Sequence, residues 1–138
     1  MQRTTAHETA LIWLLRIGGV MTLLAFGAVF LPVDWMAATH AWLGLGEFPR
    51  SPIVDYLTRS ISALYAFHGG LLLLVSWDVR RHARVVAYVA VASIVFGVLL
   101  FGIDLHAGLP LRWVVCEGPP VVLVGVAILY LVRRVTAQ

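Results

Sequence analysis

Four long apolar runs, each closed by proline, arginine or a polar turn, constrain this chain more than any other feature. They fall at about 10–31, 56–77, 85–103 and 111–132. At 1.5 Å per residue, a run of roughly 20 residues crosses the ~30 Å hydrocarbon core of a bilayer. None of the runs alternates with a period of two, which argues against a membrane barrel. The expected fold class is therefore all-α, an antiparallel bundle of four transmembrane helices forming one domain over residues 1–138. Composition agrees: 61% of the 138 residues are hydrophobic, 12% are charged and the mean hydropathy is +0.92. A soluble core of this size cannot bury so much apolar surface.

The first run resembles the apolar core of a secretory signal, but it is longer than such cores and no cleavage site is evident after it, so a retained helix is expected. Between the first two spans, Asp34 reads as an N-cap for a short helix at about 34–43 that places Trp35 and Trp42 on one face. Gly44 and Gly46 end that helix. Paired tryptophans suit the membrane interface, which places this helix on the outer surface.

All ten basic residues are arginine. They sit at the ends of apolar runs and form no stripe, an arrangement that excludes nucleic acid as the expected partner. Arg3, Arg80, Arg81, Arg84, Arg133 and Arg134 lie on one side of the expected topology, and Arg50, Arg59 and Arg112 on the other. Six against three places both termini in the cytoplasm. In this reading the Arg80-Arg81-His82-Ala83-Arg84 run is an orientation signal rather than a lipid-recognition site. Arg16, six residues inside the first span, is expected to snorkel to the inner surface.

Ionisable groups within spans are the candidates for function. Asp55 and Arg59 share a helical face. Asp104 and Glu117 lie at a similar depth near the outer ends of spans three and four. These four residues form an expected outer-half cluster, serving either as a ligand site or as a structural network in which Glu117 pairs with Arg59. Pro119 and Pro120 follow Glu117 and are expected to kink or restart the helix. His68, nine residues after Arg59, points the opposite way and is read as a neutral histidine bonded to a neighbouring helix. A haem ligand at His68 is the sharper alternative. Asp104 and His106, placed in a turn, form a weak metal motif, and no metal site is expected from it. Cys116 reads as a packing residue. Gly18, Gly19, Gly69, Gly70, Gly97, Gly118 and Gly125 offer close helix contacts. Walker, G-x-S-x-G, C-x-x-C and H-E-x-x-H patterns do not occur.

The layout of Arg16-Ile17-Gly18-Gly19, of Leu31-Pro32 before the tryptophan helix, and of Thr58-Arg59-Ser60 through His68-Gly69-Gly70 resembles the DoxX-like bacterial membrane proteins. That resemblance implies a four-helix protein of the bacterial inner membrane, associated with quinone-related or redox complexes. It brings no catalytic residue with it. Three functions are expected in order: a non-enzymatic accessory or scaffold subunit with a membrane-protein partner or further copies of itself; a binder or transporter of a quinone or lipid at Arg59, Glu117 and Asp104; and a redox component. The residues specify no cofactor.

Overall fold

A computed structural model describes residues 5–137; Arg3, used above in counting charges, lies outside them. The described chain is all helix and turn. In order it forms α1 (Ala6–Leu23), a 3-10 segment (Leu24–Phe30), α2 (Val33–Trp42), α3 (Pro52–Val75), α4 (Ala83–His106) and α5 (Leu111–Thr136). Four helical stretches are long and apolar enough to cross a membrane: Ala6–Phe30, Pro52–Val75, Ala83–His106 and Leu111–Thr136. The protein is a multi-pass, all-α membrane protein, as its apolar runs require.

The chain divides into two compact units, one made of residues 1–17 and 72–138 and the other of 18–71. In the first, α4 and α5 pack closely along a stripe of small residues. A Cβ built on Gly97 would lie 2.7 Å from the Gly118 carbonyl oxygen, and one on Gly118 would lie 2.7 Å from that of Gly97. One turn pair further on, a Cβ on Gly125 would lie 2.8 Å from the Ala90 carbonyl oxygen. Ala90, Gly97 and Asp104 are spaced seven apart, so one face of α4 carries all three toward α5. The core of this unit adds Leu11, Leu15, Leu72, Val75, Val79, Val86, Val89, Ile128, Val132 and Val135.

Polar bonds fasten one end of the same unit. Arg80 donates through Nε and Nη2 to Glu8 Oε2 at 3.1 and 3.0 Å, and through Nη1 to the Val135 carbonyl at 3.2 Å. The start of α1, the turn after α3 and the end of α5 therefore meet at one end. Arg16 is exposed and donates to Ser76 Oγ at 3.4 Å, while the buried Ser76 donates to the Leu73 carbonyl.

In the second unit, Gly69 lets α3 approach α1: a Cβ there would lie 2.6 Å from the Gly19 carbonyl oxygen and the Leu23 nitrogen. Gly70, also expected at a close contact, faces open space. The first span ends as a 3-10 segment rather than as the continuous α-helix expected. At its end, the Leu31 amide bonds to Ala28, and arginine donors take the carbonyls of Val29 and Leu31, groups that an α-helix end leaves unpaired.

Two further expectations change. Asp34 does not cap α2: the helix begins at Val33 after Pro32, and Asp34 accepts from Arg50 Nη2 at 2.8 Å. With Pro32 at the N-cap position, Asp34 falls inside the first turn, where its carboxylate meets Arg50 instead of the helix-end amides. Trp35 and Trp42 are exposed as expected of an interfacial helix, Trp42 at 81%, while Met36 turns inward. Gly44 and Gly46, at φ of 71° and 90°, close α2 in a conformation that favours glycine. Finally, α5 does not restart at Pro119 and Pro120 but continues as one helix from Leu111 to Thr136. The contact of Gly118 with Gly97 holds the helix on α4 beside the two prolines.

Candidate functional site

Each unit brings together two of the four acidic and basic residues singled out in the sequence. In the 18–71 unit, Arg59 Nε donates to Asp55 Oδ1 at 2.9 Å, the one-turn spacing that places both on one face of α3. Nη2 of Arg59 donates to the Leu31 carbonyl at 3.2 Å, and Nη1 to the Val29 carbonyl. The planar guanidinium thus engages one carboxylate and two carbonyls at once, a geometry that a point-charge ammonium cannot reproduce. The sequence reading missed the two carbonyls, because only the 3-10 ending of the first span presents them.

In the other unit, Glu117 interacts with Asp104 across the α4–α5 seam and with Trp113, one turn earlier on α5. Trp113 is an indole, and its N–H can only donate. Asp104 is 3% exposed, and its Oδ2 has no hydrogen-bond partner among the described residues. The seven-residue stripe explains this burial: Asp104 occupies the position that Gly97 and Ala90 occupy further along α4. Two facing acids at this seam repel each other unless a cation or a hydrogen-bond donor lies between them.

The remaining candidates stand apart. His68 is half-buried, and among the described residues none hydrogen-bonds its ring, so the expected interhelical bond is not formed. His106 lies in the last turn of α4, not in a loop; it is exposed while Asp104 is buried, because residues two apart on a helix diverge by about 200°. No group of three or more histidine, cysteine or acidic side chains that could hold a metal occurs among the described residues. Cys116 is exposed, so it does not pack in the core.

Comparison with protein-family models, with characterised proteins and with solved structures finds no match for this chain. Its function is therefore read from its own geometry.

Proposed function

We propose that this protein is a non-enzymatic accessory or scaffold subunit of a bacterial inner-membrane assembly, with both termini cytoplasmic. The supporting observation is how Arg59 is used. A guanidinium within a span is the strongest anion-binding group available there, yet this one is engaged by Asp55 and by the carbonyls of Val29 and Leu31. Arg16 with Ser76 and Arg80 with Glu8 follow the same pattern, in which charged groups fasten the chain to itself. The partner is a second membrane polypeptide or another copy of this chain, set against the exposed apolar faces of the spans. The DoxX-like layout agrees with this reading, and the arginine excess supports the orientation.

Purification in mild detergent, followed by an absorption spectrum and native mass spectrometry of the same sample, tests the proposal. The expected result is the polypeptide, alone or with another subunit, without a chromophore. A haem absorption band or a retained quinone mass would transfer the assignment to the redox component and direct attention to His68.

One observation favours a second reading, a binder of a small ligand such as a quinol or a lipid hydroxyl. The partnerless Oδ2 of Asp104 is an acceptor suited to such a donor. Asp104→Asn separates the two readings. For the scaffold, thermal stability is expected to stay the same or rise, because one of two facing acids is removed, and the native mass is unchanged. For the binder, the fold persists and a co-purifying mass disappears.

A further inference from the structure

The end of the molecule fastened by Arg80 also carries a feature that the scaffold reading does not use. An open cavity of about 450 Å³ is lined by Arg80, Arg81, His82, Ala83, Arg84, Val85 and Thr136. Arg80 is occupied by Glu8 and the Val135 carbonyl. Arg81 and Arg84 are exposed and have no acidic partner among the described residues. The nearby carboxylate of Asp78 accepts from the Arg81 backbone amide at 3.0 Å, and His82 Nδ1 donates to the Asp78 carbonyl at 2.9 Å. The lining also includes the first turn of the 24-residue α4, whose N-cap, His82, makes no side-chain capping bond. The Ala83 amide bonds to the Arg80 carbonyl at 3.4 Å, and the helix start adds positive potential to that of the two guanidiniums.

We infer that this cavity binds the phosphate oxyanion of an anionic phospholipid. Guanidinium groups match phosphate oxygens through paired N–H donors. A soluble phosphate would meet the same chemistry, but the position favours a lipid. The cavity opens where membrane-spanning helices end, at the level of lipid headgroups, and the exposed Val85 on its wall offers an apolar surface for the glycerol and the upper acyl chains. The run of arginines thus serves as a headgroup site as well as an orientation signal. This inference is independent of the scaffold assignment.

Native mass spectrometry of the full chain in mild detergent, titrated with phosphatidylglycerol or with phosphatidylcholine, tests it. Phosphatidylglycerol is expected to bind more tightly. At about fivefold per arginine, the Arg81→Gln/Arg84→Gln double variant should weaken its binding about 25-fold. Arg133→Gln/Arg134→Gln removes equal charge from α5 outside the cavity and should weaken binding much less. Circular dichroism and gel filtration check that each variant is folded; should the double variant fail to fold, Arg81→Gln alone is expected to show the fivefold loss. Millimolar inorganic phosphate should leave lipid binding unchanged. Equal binding of the two lipids, or equal losses in the two double variants, would overturn the site. Displacement of phosphatidylglycerol by inorganic phosphate would overturn the lipid assignment in favour of a soluble anion.

Discussion

Gly118→Leu is expected to leave little folded protein. The α4–α5 contact brings the backbone of each helix against the other, with a Cβ at Gly118 placed 2.7 Å from the Gly97 carbonyl oxygen and 3.0 Å from the Phe101 nitrogen. Backbone atoms cannot rotate away as the end of a flexible side chain can, so the helices must separate along the whole seam. Between spans surrounded by lipid, close packing replaces the hydrophobic drive that would reassemble helices in water. Even Gly118→Ala is expected to cost about 1–3 kcal/mol, the range for overpacking a well-filled contact. Gly102→Ala is the matched control. It lies on the same α4 and meets nothing within 4 Å, so it is expected to be neutral or slightly stabilising through helix propensity. Thermal unfolding in detergent, read by circular dichroism, measures all three. A stable, monodisperse Gly118→Leu protein would show that α4 and α5 do not pack as described.

Arg59→Gln is expected to be the next most damaging change. It strands the Asp55 carboxylate and the Val29 and Leu31 carbonyls, two of which cap the 3-10 ending of the first span. At 29% side-chain exposure, Arg59 is shielded enough for these bonds to matter. Losing charge-assisted bonds and leaving partners unsatisfied costs about 2–4 kcal/mol. Arg59→Lys should recover only part of this, because one ammonium cannot reach all three acceptors in the fixed fork geometry. If lysine restored full stability, the fork would not be the source of the effect, and the scaffold assignment would lose its main support.

The spans were legible because length and hydropathy are properties of the linear chain, and a bilayer imposes both. The short α2 was legible for the same kind of reason: Pro32 bounds it before, and Gly44 and Gly46 bound it after. What the sequence concealed depends on partners distant in the chain. The 3-10 ending of the first span rests on Arg59, about 30 residues away. Asp34 looked like a cap because its ion-pair partner Arg50 is invisible to local pattern. Glu8 and Arg80 are 72 residues apart, and no spacing rule joins them.

At the site, the Asp55–Arg59 pair followed from one-turn spacing, and the association of Asp104 with Glu117 from their similar depth. The burial of Asp104 was in principle readable, since it continues the seven-residue stripe of Ala90 and Gly97. The two carbonyl partners of Arg59 were not readable, because backbone acceptors leave no mark in a side-chain pattern. The cavity at residues 80–85 was equally hidden, because a run of arginines looks the same whether it lies flat or encloses space.

The most direct test of a four-span protein with both ends in the cytoplasm is accessibility of single cysteines to an impermeant maleimide in intact cells. In a Cys116→Ala background, cysteines replace Glu47, Ala83, Ala107 and Ala137 one at a time. The account predicts labelling at 47 and 107 in intact cells, and at 83 and 137 only after the membrane is opened. Labelling of 47 and 137 from the same side, or of 83 and 107 from the same side, would contradict it.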